Sequence, residues 1–390
     1  MTKAAEKVMR FTHIGLENWK NFKQVDVDLQ RRVFLVGPNA SGKSNFLDVF
    51  RFLRDIVAVG GGLQQAVQDR RGVSGLRCLA SRQYSDILID VQMRAESGGP
   101  QWQYRLKFSQ DNRQRPFIKE EKVVKDGVEI FSRLNNKEDI DDPERLTQTH
   151  LEQVYANQEF REVADFFSRV RYLHIVPQLV REPDRSVGKQ NDPFGGDFLE
   201  QVARTPERTQ KARLGRILKA LQAAVPQLNR LEMERDARGT PHLRGKYEHW
   251  RPQGAWQRED QFSDGTLRLM GLLWAALDGS GPLLLEEPEL SLHPEFVRFI
   301  PQVFARLQRR TGRQVLVSTH SPDLLRDEGI GVDEVLLLLP SVEGTKVQTA
   351  GSLQDTQALL EGGLSMAEAV LPKTAPTNME QLLFAFGDDR

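Results

Sequence analysis

The chain of 390 residues has a single cysteine, Cys78. One thiol can form neither an internal disulfide nor a cysteine-based zinc site, so both are excluded. Cys78 reads as a small apolar filler. Long apolar runs are missing as well: none approaches the roughly 18 residues that cross a bilayer. The opening Met1-Thr2-Lys3-Ala4-Ala5-Glu6-Lys7 lacks the apolar stretch of a signal peptide. These absences fit a reducing cytoplasm without membrane contact. Net charge is also absent, because 54 basic residues balance 54 acidic ones. That argues against coating nucleic acid by bulk charge, while leaving room for a local basic groove. No internal repeat or long low-complexity segment is present. The remainder is globular, with 39% hydrophobic residues, and fills one large or two ordinary domains.

Against this background one segment stands out. Val33-Phe34-Leu35-Val36 is followed by Gly37-Pro38-Asn39-Ala40-Ser41-Gly42-Lys43-Ser44, the strand–GxxxxGK[ST]–helix pattern of a P-loop. Gly37 permits a sharp exit from the strand, and Gly42 lets backbone approach phosphate. Backbone N–H groups from Asn39 through Ala40, Ser41, Gly42 and Lys43 to Ser44 point at the β-phosphate, with Asn45 following them into the helix. Lys43 reaches the β/γ-oxygens and the Ser44 hydroxyl ligates Mg²⁺. Phe46, Phe50 and Leu53 give the following helix an apolar face. The ligand class is therefore ATP or a related triphosphate with Mg²⁺.

Organisation follows from periodicity. Residues 10 to 36 read as strands, Val25, Val27 and Leu29 alternating with polar neighbours. Residues 87 to 131 hold further strands, with a tight turn at Asp126-Gly127. Residues 137 to 170 read as charged helices, 178 to 196 as a loop and 198 to 224 as helix. A second strand-rich stretch runs from about 228 to 256, and from 262 the chain turns α/β. The expected divisions are 1–136, an N-terminal lobe with P-loop and β-rich region; 137–227, a helical insertion and loop; 228–371, a C-terminal lobe; and 372–390, a tail.

Leu283-Leu284-Leu285-Glu286-Glu287-Pro288-Glu289 is an apolar strand ending in acids. In a parallel sheet its carboxyl end opens beside the P-loop. Glu286 would hold Mg²⁺ directly or through water, and Glu287 would orient and deprotonate the attacking water. Ser263 and Gly265, before the apolar helix Leu267 to Leu277, form a second anion-binding corner or an ordinary N-cap. His320, after the apolar strand 315 to 317, is placed to touch the γ-phosphate.

The order of these motifs resembles the ABC-type ATPase heads, and within them the AAA-family group related to the OLD, RecF and chromosome-maintenance (SMC) heads. Asn18-Trp19-Lys20-Asn21-Phe22 is similar to that group's opening segment. Phe262-Ser263-Asp264-Gly265 resembles its signature motif. Glu286-Glu287-Pro288-Glu289 with Leu292-His293-Pro294 resembles its Walker B and D-loop, and Ser318-Thr319-His320-Ser321-Pro322 its His switch. Two departures stand out: Glu286 occupies a position that is often Asp, and Asp264 one that is usually Gly. The resemblance implies an α/β fold, an ABC-ATPase head: a P-loop mixed sheet with flanking helices, an antiparallel β-rich lobe and a helical insertion. It also implies a homodimer in which Ser263 and Gly265 contact ATP on the other copy. By the same resemblance Lys20 reaches the phosphates, with a plain surface lysine as the alternative. Gln178 is the candidate Q-loop residue and metal ligand, a solvated glutamine being the alternative.

Between Ser44 and Ser263 there is no sustained heptad pattern, so the long coiled-coil arm of SMC-type heads is not expected. After residue 340 too little chain remains for the metal-dependent nuclease domain of OLD-type proteins. The function this implies is a cytoplasmic, stand-alone ATPase resembling bacterial anti-phage defence ATPases, which controls a separately encoded effector such as a nuclease. The alternative is a RecF-like DNA repair clamp. For that reading Arg204, Arg208, Lys211, Arg213, Arg216 and Lys219 offer DNA phosphates a basic helix face, although a solvated face explains them as well. The apolar end Leu382-Leu383-Phe384-Ala385-Phe386 either folds back or docks a partner.

Overall fold

A computed structural model describes residues 8–81, 85–95, 98–133, 137–186, 192, 194–250 and 255–375. The chain opens with β1 (Met9–Trp19), β2 (Phe22–Asp28) and β3 (Arg32–Val36). After the helix Lys43–Val57 and two short helices come β4 (Ile87–Ala95), β5 (Gln101–Gln110), β6 (Pro116–Lys125) and β7 (Val128–Ser132). A three-residue strand, β8 (Arg171–Leu173), precedes the helices Phe198–Arg204 and Glu207–Leu221. Then come β9 (Leu228–Arg235), β10 (Pro241–Tyr247), β11 (Ala255–Arg258) and the helix Asp264–Leu277. The last strands are β12 (Leu283–Glu286), β13 (Val315–Thr319), β14 (Val335–Leu339) and β15 (Lys346–Thr349).

These strands form three sheets. The first, in the order β2-β1-β4-β5-β6-β7, is antiparallel throughout. Its last hairpin turns at Asp126 and Gly127, both at positive φ (50° and 80°), which matches the right-handed twist of the two strands. The second is the small antiparallel sheet β11-β10-β9. The third runs β15-β14-β3-β13-β12-β8 and is parallel except for β15.

The parallel strands are apolar on both faces because each face is covered. Leu284, Leu316, Leu336 and Leu338 join a core with Phe46, Phe50 and Leu53 of the P-loop helix and with the inner side of the antiparallel sheet. Leu283, Leu285, Val315, Val317 and Leu337 point the other way, onto Val297, Ile300 and Phe304. The P-loop helix is thus clamped between two sheets. Phe11 packs 4.6 Å from Phe50 and 4.8 Å from Phe166 by ring centroids. A third core gathers Leu214, Ile217 and Leu221 with β9, β10 and the helix Asp264–Leu277.

Two expectations need correction. Residues 137 to 170 are mostly turns and 3-10 segments, with α-helix only at Lys137–Asp141 and Arg161–Ser168. Side chains hold this stretch in place of helical hydrogen bonds: Glu121 accepts the backbone N–H groups of His150 and Leu151 at 2.8 and 3.1 Å. Arg133 binds Asp139 twice, at 2.8 and 2.9 Å, and also the carbonyls of Gln148 and Arg145. Within 137–227 the structure further places β8, an edge strand of the P-loop sheet; at three residues it carries no periodicity of its own, and pairing with β12 supplies it. The tail segment Leu382 to Phe386 lies outside the described residues.

Candidate nucleotide site

Register brings the motifs together. Val36 pairs with Thr319, and Ser318 with Glu286. The strands β3, β13 and β12 therefore end at one level, and the residues that follow each of them share the carboxyl edge of the sheet, where α/β proteins bind ligands.

After β3 the P-loop folds as the pattern requires. Ala40 takes a positive φ of 62° and Gly42 one of 99°. A Cβ on Gly42 would lie 2.1 Å from the Asn21 amide nitrogen, so the position admits no side chain. The helix begins at Lys43 without a side-chain cap, so its first N–H groups are available for an anion. Lys43 Nζ donates to the carbonyls of Gly37 and Pro38 at 2.8 and 3.1 Å. Burial lowers its pKa, and Glu287, Glu286 and Glu289 act in the opposite direction. Ser41 is fully buried, whereas Asn39 and Ala40 are exposed.

The acids stand opposite. Glu286 accepts from the Ser44 hydroxyl on one oxygen and from the Tyr172 hydroxyl on the other, while its carbonyl lies 3.2 Å from His174 Nδ1. Burial and Glu286 together raise the Tyr172 phenol above its ordinary range, so Tyr172 stays a donor. Glu287 has the unusual φ of 43° for a residue with a side chain; such strain persists where surroundings over-determine it. Here the Glu287 N–H donates to the Ser318 carbonyl at 3.0 Å and its Oε1 lies 3.1 Å from His320 Nδ1. Glu287 is largely covered and His320 half exposed. The Glu287 carboxylate and the His320 ring therefore form a pair at the strand ends.

These residues suit a magnesium nucleotide. Among the described residues no cluster of three or more His, Cys, Asp or Glu could hold a metal by itself. A hydroxyl and one carboxylate in contact, Ser44 and Glu286, instead match a cation that takes its other ligands from phosphate and water, the habit of Mg²⁺.

Other expected residues sit further out. Ser263 caps the helix Asp264–Leu277, its hydroxyl accepting from the Thr266 N–H at 3.2 Å. A Cβ on Gly265 would fall 2.5 Å from the Ser291 carbonyl, so the start of this helix lies directly on the segment Ser291-Leu292 that follows β12. Neither Ser263 nor Gly265 lines the two described cavities that border the P-loop. Lys20 donates to Asp48 at 2.6 Å. Burial pushes the Asp48 carboxyl up, but Arg70 and Lys20 outweigh it and bring the pKa down to about 2. Lys20 thus stands at the rim of a cavity of about 890 Å³ that also borders Ser44 and Asn45, committed to a carboxylate. Gln178 is exposed on the one-turn helix Pro177–Val180, and none of the described hydrogen bonds joins it to Ser44 or Glu286. Of the basic helix, Arg213 is tied to Asp278 and Lys211 to Glu207, while Arg208, Arg216 and Lys219 are exposed.

Sequence reasoning passed over Asn21, Thr345, Tyr172, Ser318 and Glu289. Asn21, Ser318 and Glu289 all lie inside motifs quoted above, and that was their signal. Tyr172 and Thr345 carry none, since only the fold brings them to the site.

Fold and motif placement define an ABC-type ATPase head. The chain belongs to the AAA_21 family, described as "AAA domain, putative AbiEii toxin, Type IV TA system", whose profile matches residues 32–326. Its fold is similar to that of an SMC head solved with the C-terminal winged-helix domain of ScpA: TM-score 0.55 at 12% identity, covering 87% of this chain and 97% of that one. A second similar structure is the SMC head with extended coiled coil bound to the C-terminal domain of ScpA from Pyrococcus furiosus, at TM-score 0.51, 11% identity and coverage of 91% and 99%. Among curated proteins, 47 residues are 40% identical to Endonuclease GajA of Bacillus cereus (strain VD045); the match spans 12% of this chain and 8% of that protein. Among the described residues no helix is long and apolar enough to cross a membrane.

Proposed function

We propose that the chain binds and hydrolyses ATP with Mg²⁺, dimerises around the nucleotide, and works as a sensor and switch in a cytoplasmic defence complex that controls a separately encoded effector such as a nuclease. The observation that carries the hydrolytic part is the Glu287–His320 pair at 3.1 Å, level with the P-loop. In this reading Lys43 exchanges its two carbonyl partners for phosphate oxygens. Ser44 and Glu286 would hold the cation, which would supply charge neutralisation to the phosphates. Glu287 orients the attacking water and takes its proton, and His320 fixes the carboxylate and faces the γ-phosphate. Ser263 and Gly265 serve the nucleotide of the second copy, so ATP occupancy drives assembly and hydrolysis resets it. The short match to an endonuclease supports a nuclease as the effector class.

The test is Glu287→Gln. It should keep ATP binding, lose hydrolysis by at least a hundredfold and accumulate an ATP-bound dimer in light scattering. Wild-type turnover in this variant would remove Glu287 as the base. A second reading, an ATP-gated DNA clamp, draws on the exposed Arg208, Arg216 and Lys219. It requires hydrolysis to be stimulated by DNA with an affinity that falls steeply with salt.

A further inference from the structure

The third acid of the Glu286-Glu287-Pro288-Glu289 segment has no part in the mechanism above. Glu289 is nevertheless buried, at 7% exposure, beside the reactive groups. Its Oε1 accepts the Thr319 hydroxyl at 2.6 Å. The Thr319 oxygen in turn accepts the Ser321 N–H at 3.0 Å. His320 lies between these two residues, so both flanks of the histidine are tied to one carboxyl group. The other oxygen, Oε2, is buried and makes no hydrogen bond to another side chain among the described residues. A buried carboxyl held by one hydroxyl and its own backbone N–H is costly, and an apolar residue would avoid that cost. Burial also raises its pKa, with the Thr319 hydrogen bond working against the shift.

We infer that Glu289 is a positioning residue for hydrolysis: through Thr319 and the Ser321 N–H it holds the His320 loop so that the imidazole stays on Glu287. The relay runs from Glu289 Oε1 through the Thr319 hydroxyl to the Ser321 backbone and ends at the 3.1 Å contact between His320 and Glu287. Its strands supply the rigidity. Thr319 is the last residue of β13 and is paired to Val36, while Leu292 N–H donates to the Glu289 carbonyl at 3.1 Å and fixes the other end. Glu289 touches no phosphate in this scheme, so its loss affects the rate and leaves ATP affinity alone.

The inference rests on the proposed hydrolytic role, and its test separates the two. Turnover and affinity for a fluorescent ATP analogue are measured for Glu289→Ala, Glu289→Gln, Thr319→Val and the double variant Glu289→Ala/Thr319→Val. Glu289→Ala and Thr319→Val should each lower kcat by about tenfold to a hundredfold, with analogue affinity within about twofold of wild type. Glu289→Gln keeps an acceptor for Thr319 and should restore most of the rate. The double variant should be no slower than the worse single one, because both act through one relay. Additive losses, a matching loss of affinity, or a Gln variant as slow as the Ala variant would each overturn the inference. A second readout needs no hydrolysis. In protein labelled with ¹³C-histidine, the His320 ring signal, assigned with His320→Gln, should shift in Glu289→Ala and in Thr319→Val but not in Glu289→Gln. An unmoved signal in Glu289→Ala overturns the positioning role even if the chain hydrolyses no ATP, an outcome that would by itself sink only the hydrolytic reading.

Discussion

The side-chain amide of Asn21 donates to the Ser41 carbonyl inside the P-loop at 2.8 Å. The same nitrogen reaches Thr345 Oγ1 at 2.7 Å, and the Asn21 oxygen accepts from Asn45 at 2.9 Å. Thr345 closes the clamp with its own bond to the Ser41 carbonyl at 2.9 Å. A hairpin from the start of the chain and a loop between β14 and β15 thus hold the phosphate cradle from two sides. Asn21→Ala should cost about 1–3 kcal/mol of stability and weaken ATP binding. Urea denaturation and an ATP titration check both; if neither moves, the clamp is ornamental.

His320 should matter for rate and little for binding. His320→Ala leaves Lys43 and the loop intact, so ATP affinity should hold while turnover falls by about a hundredfold. Steady-state kinetics beside equilibrium binding separates the two. Equal loss in both would show that the histidine shapes the pocket and does not assist the reaction.

The composite site can be tested by complementation. Lys43→Ala removes one half of a site and Ser263→Arg the other. Each variant alone should be inactive. Mixed in equal amounts, half the dimers pair one of each and regain one intact site, giving about a quarter of wild-type turnover if the sites are independent. No recovery in the mixture would contradict a nucleotide shared between copies.

Stability against pH should carry the mark of Glu121. Burial pushes this carboxyl up to about 7 from the ordinary 4.5, its hydrogen bonds from His150, Leu151 and Tyr104 only partly opposing the shift. A carboxyl raised on folding holds its proton better in the native state. Its contribution is therefore fully present below pH 4.5 and is lost as pH rises through 7, by about 3 kcal/mol. His150 beside it, lowered to about 4 mainly by burial, acts oppositely: its contribution is present above pH 6.5 and lost as pH falls through 4. Glu121→Gln should therefore gain stability relative to wild type as pH climbs from 4.5 to 7. Denaturation midpoints across that range measure the difference; a constant offset would refute it.

How much could be read from sequence depended on whether a segment's structure is local. The strands 283–285, 315–317 and 335–339 were legible because burial on both faces leaves an unbroken apolar run. The P-loop was legible because its positive φ at Gly42 and its following helix are properties of the segment itself. Residues 137 to 170 misled, because charged, helix-tolerant residues there answer to Glu121 and Arg133, which lie outside that stretch. Helices as short as Leu63–Gln68 and Gly72–Leu76 cover less than two turns and leave little periodicity to find.

The sequence by itself determined the chemistry on offer: a phosphate loop, a pair of acids after a buried strand, a histidine after another, each set by residue type and short spacing. Only the tertiary structure decided which of these groups meet. Strand order β14-β3-β13-β12-β8 and its register put His320 on Glu287 and Thr319 on Glu289, while packing of the β1–β2 turn of the other sheet against the loop before β15 brings Asn21 to Thr345 across 324 residues. Such contacts depend on how distant strands pair, and pairing is settled by burial of whole faces, which no single segment encodes.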